Sequence, residues 1–511
     1  AEDGIRDKLV TGVQTCALQI FTSSSEQQAA LEKLLEDQQN PASPQYHQWL
    51  TPNEFGERFG PAQSDVDAVT AWLESHGLKV GRVANGRRLV EFSGTAGQME
   101  QLFKTEIHSF DTGGEIHIAN SGEIALPNAV AAVSTGVVSL HNFRMRPRYH
   151  SKRVVAASLT SPDYNSSTGD HYLSPYDFAT IYNVLPAWNN LNLDGTGQTI
   201  AVIGRSNIDM ADVVRFRTKF GLPGNNTQVV LNGPDPGILT STGDDVEADL
   251  DTEWSGAIAK NAVIKLIVSK DTITSDGIDL SNQYAVDNNV GGIISVSYGD
   301  CEANLGSFNS FYNNLWQQAA AQGMSVIVAS GDSGSADCDD PSSGRPARAG
   351  LAVDGLSSTP YSVSIGGTQF NEGSGNYWGL TNASGTFASV LSYIPEVVWN
   401  ESAYVSSRSP LNGLWAGGGG VSTIYATPSW QVAPGVPSTD PGTTNQHHRY
   451  VPDLSLAAAD HDGYLIQSEG AQYVVSGTSA GAPSFSGILA LINQYTNARQ
   501  GNPNQIGRAH V

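Results

Sequence analysis

Along residues 21–145 the apolar positions change period several times. Between Ser64 and His76, Val66, Val69, Trp72 and Leu73 recur at helical spacing, which predicts an amphipathic helix. Leu78–Val83 and Arg88–Ser93 alternate instead, and Asn85-Gly86 between them is a hairpin turn signal. A second helix is expected over Ala96–Lys104, leading into a strand at Glu106–Phe110. The order helix, strand, strand, helix, strand suggests a ferredoxin-like α+β sandwich.

From about Tyr172 the apolar runs lose their polar face. They recur at Thr199–Ile203, Val263–Ser269, Gly292–Ser297, Ser325–Ala329 and Ser362–Ile365. Helical stretches over Asp244–Ala259, Ile278–Asn288 and Phe308–Gln322 separate most of them. Apolar strands alternating with helices predict an α/β fold, a parallel sheet covered by helices. Site residues of such sheets gather at the carboxyl ends of the strands.

Between the two patterns lies Arg144-Met-Arg-Pro-Arg-Tyr-His-Ser-Lys-Arg153, followed by the Ser/Thr/Asn/Gly-rich stretch Ser158–Gly169. Residues 151–170 read as a linker. The basic cluster suits a processing site or a dock on the acidic second half of the chain, and a solvated linker equally well. Both ends look foreign. Residues 1–20 carry Glu2, Asp3 and Asp7 where a signal peptide would be basic, and Thr11, Gln14 and Thr15 break the apolar run. They resemble a translated sequencing adapter, and residues 505–511 resemble another.

Charge narrows the partners. The net charge is -23 over 511 residues, and residues 161–511 hold 32 acidic against 13 basic side chains. A polyanionic second half argues against nucleic acid or an anionic membrane as partner. No apolar run is long enough to predict a membrane span. Of three cysteines, Cys16 lies in the first segment; Cys301 and Cys338 suit either a disulfide or two free thiols. Their spacing gives no zinc site.

Three features carry candidate chemistry. Ser479, in Ser476-Gly-Thr-Ser-Ala-Gly-Ala-Pro483, follows the strand-like Gln472–Val475 and opens the apolar helix Ala482–Ile492. Free N–H groups at a helix start favour developing negative charge, although an ordinary N-cap serine fits the same place. Glu247 and Asp251, in Gly243-Asp-Asp-Val-Glu-Ala-Asp-Leu-Asp251, stand four residues apart on one helical face. Such a pair shares protons, so one carboxylate can act as base while the other tunes it; a solvated acidic helix or a calcium site are the alternatives. Asp332, in Ala329-Ser-Gly-Asp-Ser-Gly-Ser335, follows a strand on a glycine-rich loop. It is either a turn former or, when protonated, a donor to a tetrahedral oxyanion. A carboxylate base suits acid: at pH 4 an imidazole of pKa about 6.5 is roughly 0.3% neutral, whereas a glutamate near 4.3 remains usable.

In this order these motifs resemble the sedolisins, the serine-carboxyl peptidases with a subtilisin-like fold. The matching runs are Glu247-x-x-Leu-Asp251, Ser330-Gly-Asp-Ser-Gly334 and Ser476-Gly-Thr-Ser-x-x-x-Pro483. Upstream, Asn40-Pro-Ala-Ser-Pro-Gln-Tyr-His-Gln-Trp-Leu-Thr51 and Glu54-Phe-x-x-Arg-Phe-Gly60 are similar to the activation domain of the kumamolisin branch. Leu173-Ser-Pro-Tyr-Asp-Phe-Ala-Thr-Ile-Tyr-Asn183 resembles the start of the mature enzyme, and Gly417-Gly-Gly-Gly-Val-Ser422 the family's substrate-strand region.

The resemblance implies an acid-active peptidase made as a zymogen, acting on protein or peptide substrates. Ser479 is then the nucleophile, Glu247 its base, Asp251 the partner of that base, and Asp332 the oxyanion donor. It further implies a prodomain over residues 21–150 that inhibits the enzyme intramolecularly, a catalytic domain over 171–504, and secretion of a monomer whose signal peptide is not visible. Calcium is implied too, but its ligands in the family lie downstream of the serine, where only 32 residues remain here. Two alternatives stand beside this expectation. One is a Ser-His-Asp subtilisin, using His171, His447, His448 or His461. The other is an inactive truncated fragment that binds peptide.

Overall fold

The structure, a computed structural model, describes residues 8–9, 14–112, 115–153, 171–224, 227–402 and 413–508. The expected parallel sheet is present. Its six parallel strands lie in the order Thr227–Leu231, Val263–Val268, Thr199–Gly204, Ile293–Val296, Ser325–Ala329 and Val363–Phe370. Leu454–Ala457 adds in parallel and Glu396–Val398 antiparallel at the far edge.

Alternation along each strand feeds two cores. Ile200 and Val202 pack with the helices Asp244–Ile258 and Thr478–Thr496 on one face. Ala201 and Ile203 pack with Gly277–Asp287 and Phe308–Ala321 on the other. With both faces covered, neither set of positions can be polar, which is why these strands read as unbroken apolar runs.

The first body is ferredoxin-like, but with two strands other than those expected. Its sheet runs Lys79–Val83, Leu89–Thr95, Gln14–Phe21, Ser134–Val138, all antiparallel, with the helices Gln63–Ser75 and Ala96–Phe103 completing a βαββαβ chain. The strand Ile107–Thr112, expected to close this sheet, pairs with Glu115–Asn120 as a separate hairpin.

Residues 1–20, set aside above as foreign, supply most of the central strand Gln14–Phe21. Ala17 and Phe21 enter the first body's own core, while Leu18 and Ile20 join the core shared with the sheet of the second half. That strict alternation, with a ladder made by backbone groups, suits a strand even where polar residues spoil an apolar leader. At the other end, Pro503–Arg508 forms a 3-10 turn, and Asn504 donates to the Ser362 carbonyl oxygen at 2.9 Å.

The first body rests on the helices Gly277–Asp287 and Phe308–Ala321. Leu31, Leu34, Leu35, Phe55 and Phe59 pack on Ala320 and Ala321. Asn85, in the hairpin turn read from the sequence, donates to the Asp287 carbonyl oxygen at 2.9 Å, and buried Arg88 donates to Gln317 at 3.1 Å. Residues 151–153 of the segment expected as a linker belong to the strand His150–Arg153, and Arg146–Pro147 in the basic cluster before it forms another; residues 154–170 lie outside the described residues.

Candidate active site

Ser479 is the second residue of the helix Thr478–Thr496, reached from the strand Ala471–Ser476 through Gly477. Gly477 adopts φ +114°, and a methyl carbon there would fall 2.4 Å from Asp332 Oδ2 and 2.5 Å from the Arg148 carbonyl oxygen. Only glycine fits such a junction. The turn brings the Ser479 side chain against the helix Asp244–Ile258, which packs lengthwise on its own helix.

Glu247 and Asp251, on the facing side of that second helix, are fully buried, as is Ser479. Asp251 Oδ1 accepts from the Ser297 hydroxyl at 2.7 Å, and Ser297 follows the strand Ile293–Val296. Burial pushes both carboxyls well above the usual carboxylate range, and Asp251 pushes Glu247 further. The Ser479 hydroxyl lies beside Glu247 and opposes that rise. In this rotamer, however, it donates to the Ser297 carbonyl oxygen at 3.3 Å, and both Glu247 oxygens are left without a well-formed hydrogen bond. A turn about the Ser479 Cα–Cβ bond changes the direction of the hydroxyl without moving the backbone.

Asp332 sits just past the carboxyl end of Ser325–Ala329, as its position after the strand predicted. Its Oδ1 accepts from the Thr478 N–H at 2.8 Å and the Thr478 hydroxyl at 2.9 Å, leaving Oδ2 buried with no partner. Burial raises its pKa to about 7 against those hydrogen bonds. The acid form is thus favoured, and its free Oδ2 flanks the space beside Gly477. All four residues singled out from the sequence meet in one place.

A sequence model of the subtilase family matches residues 246–510, just over half of the chain. The chain belongs to the subtilase family. A pro-kumamolisin activation domain matches residues 5–143, which takes in the strand Gln14–Phe21. Xanthomonalisin from Xanthomonas sp. (strain T-22) is 32% identical over 508 residues, covering 93% of this chain and 57% of xanthomonalisin. Sedolisin from Pseudomonas sp. (strain 101) is 28% identical, covering 93% of this chain and 76% of sedolisin. The solved Pseudomonas sedolisin, a serine-carboxyl proteinase complexed with pseudo-iodotyrostatin, superimposes with a TM-score of 0.52 at 28% identity. That likeness covers 66% of this chain and 84% of the solved one. The chain spans little more than half the length of xanthomonalisin.

Subtilase membership alone leaves the base of the serine open, and the surroundings of the histidines bear on it. His171 pairs with Glu372 at 3.1 Å, His448 with Asp440 at 2.5 Å and His461 with Glu401 at 2.6 Å. Among the described residues, none of these contacts leads to Ser479. Within the run Gly417–Ser422, likened above to a substrate strand, Gly418 backs the Asp332 loop: its N–H donates to the Gly331 carbonyl oxygen at 2.7 Å. Tyr298 donates from its hydroxyl to Asp244 Oδ1 at 3.0 Å. Cys301 and Cys338 form a disulfide.

For calcium the described residues contain no group of three or more His, Cys, Asp or Glu side chains able to hold a metal ion. They do not fit the site the resemblance implies, and no step below runs through a metal. No helix among them is long and apolar enough to cross a membrane.

Sequence reasoning missed Ser297 as the partner of Asp251, and it missed Arg148. The Ser479 N–H donates to the Arg148 carbonyl oxygen at 3.0 Å, and the Arg148 N–H to the Ser297 carbonyl oxygen at 3.0 Å. The only signal in the sequence was the basic cluster in which Arg148 lies.

Proposed function

We propose that this chain is the zymogen of an acid-active serine-carboxyl peptidase that hydrolyses peptide bonds of proteins. The carrying observation is a buried serine at a helix start, set against the carboxyl of Glu247 rather than against an imidazole. Ser479 Oγ attacks the carbonyl carbon of the substrate while Glu247 takes its proton; the same carboxyl later gives it to the departing amine. Asp251 shares the charge and proton of that pair, so its ionisation belongs to the pair rather than to either residue. Ser297 fixes Asp251 in turn.

The oxyanion is met by two donors. One is the Ser479 N–H at the positive end of its helix, the other the protonated Oδ2 of Asp332. With a pKa of about 7, Asp332 is protonated throughout the acid range in which a carboxylate base still works.

Residues 21–150, joined by the strand Gln14–Phe21, act as the inhibitory activation domain; residues 171–504 form the peptidase. The enzyme works as a monomer, and its disulfide suits export to an oxidising compartment. A pH–rate profile on casein tests the reading. Activity peaking near pH 3–5 and abolished by Ser479→Ala is expected; an active Ser479→Ala variant, or activity confined to neutral pH, sinks it. Blocked and free-amino tripeptide substrates separate endopeptidase from tripeptidyl-peptidase action.

A further inference from the structure

The contact between the two bodies buries a cation that has no anion beside it. Arg88 stands between the turn Asn85-Gly86 and the strand Leu89–Thr95, and it is 6% exposed. Its Nη1 donates to Gln317 Oε1 of the second body at 3.1 Å, and its Nη2 to the Ser23 hydroxyl at 2.8 Å. The Phe55 ring centre lies 5.0 Å from the guanidinium carbon, and Nε is buried with no partner. The other buried arginines are better met. Arg148, Arg205 and Arg449 each pair with one or two aspartates, and Arg217 donates to the carbonyl oxygens of Pro223, Gly256 and Lys260. Among the described residues no carboxylate pairs with Arg88. Burial lowers its pKa to about 10, so the guanidinium still carries its charge at neutral and acid pH. One amide, one hydroxyl and a ring replace little of the hydration that such a charge gives up.

Beside Arg88 the two bodies leave between them a small cavity of about 20 Å³. That is the room of one water or one small ion. Ile20 and Leu89 wall it from the first body, while Gln283, Asn314 and Gln318 bring side-chain amides from the helices Gly277–Asp287 and Phe308–Ala321. Each amide carries two N–H donors, and the one that Gln318 gives to Gln322 at 3.1 Å leaves it a second. Among the described residues no carboxylate lines the cavity. A guanidinium with amide donors and no acidic group attracts an anion, and the space admits only a small one. Water fits as well but brings no charge to balance Arg88.

We propose that the contact between the bodies is a halide site, with chloride held by the Arg88 guanidinium and the amides of Gln283, Asn314 and Gln318. Each body supplies part of the lining, so the site exists only while the two are docked. Departure of the first body takes Arg88 with it and opens the rest to solvent. A ligand that binds only the docked form stabilises that form by mass action. Chloride therefore raises the stability of the full chain. Resting on the peptidase reading above, it also slows the appearance of peptidase activity after acidification; the halide site itself does not rest on that reading.

The full-length chain is tested as Ser479→Ala, so that peptidase activity does not consume the sample. Thermal unfolding is followed as sodium gluconate is exchanged for sodium chloride at constant ionic strength. The midpoint should rise by roughly 2 °C or more, and bromide should act like chloride. Arg88→Met in the same background should remove the rise, and comparing the two chains cancels the general effect of salts on unfolding. Chloride NMR line broadening, expected with the parent and not with Arg88→Met, reads binding directly. Gln283→Leu combined with Asn314→Leu leaves Arg88 in place and should weaken both responses, which keeps the test open if Arg88→Met fails to fold. Equal responses in parent and variants, or no broadening with the parent, put a water in the cavity and overturn the site. A chloride-dependent midpoint with an unchanged rate of activation of the unsubstituted chain overturns the effect on latency alone. Absence of peptidase activity at any pH overturns the peptidase reading and leaves the halide site standing.

Discussion

Asparagine at position 332, placed in a Ser479→Ala background to stop self-cleavage, isolates the titration of one buried carboxyl. Burial raises Asp332 from 3.8 to about 7. Its folded-state pKa therefore lies above its unfolded value, so the folded chain holds the proton more tightly. The stability this gives is fully present below about pH 3.8 and is lost as pH rises through about 7. The loss amounts to about 4 kcal/mol at 1.36 kcal/mol for each pKa unit. Asparagine is a neutral stand-in for the protonated acid. Its Oδ1 can still accept from the Thr478 N–H and hydroxyl that Asp332 binds at 2.8 and 2.9 Å. Urea unfolding of the catalytic body, followed by tryptophan fluorescence at pH 4 and pH 8, gives the loss in each chain. The parent should lose about 4 kcal/mol more than Asp332→Asn between these pH values. Other buried carboxyls, such as Asp462 at about 7, are present in both chains and cancel. Equal losses in the two chains would refute both the raised pKa and the acid form of Asp332 as oxyanion donor.

Asp251→Asn should lower kcat and move the acid limb of the pH–rate profile to lower pH, because the neighbouring charge that raises Glu247 is gone; an unmoved limb would separate the two carboxyls. Replacing both Cys301 and Cys338 with serine should cost roughly 3–4 kcal/mol for a loop of 37-residue separation, read from urea midpoints. Ile20→Asp, which buries a charge between the two bodies, should cost several kcal/mol and cut the yield of folded zymogen. A silent Ile20→Asp would mean that the strand Gln14–Phe21 is dispensable.

The site was legible in the sequence because its chemistry depends on local spacing. Four residues on one helix bring Glu247 level with Asp251, and the strand ends place Asp332 and Ser479. The central sheet was legible for a similar reason, since strands buried on both faces leave long apolar runs. What escaped was set by tertiary pairing. Ile107–Thr112 and Ser134–Val138 are both short strands, and no local pattern tells which of them closes the first sheet. Gln14–Phe21 has too broken an apolar run for a leader, yet an alternation that a central strand accepts. Arg148 lies in a basic stretch that resembles any solvated linker until Asp337 and Asp354, nearly two hundred residues away or more, are folded around it.

The carboxylate base is tested most directly by comparing Glu247→Gln with alanine replacements of His171, His447, His448 and His461 in casein hydrolysis at pH 4. Loss of general-base catalysis should lower kcat in Glu247→Gln by about 10²–10⁴, while the histidine variants keep the parent rate. A histidine variant that loses activity while Glu247→Gln retains it would contradict the account.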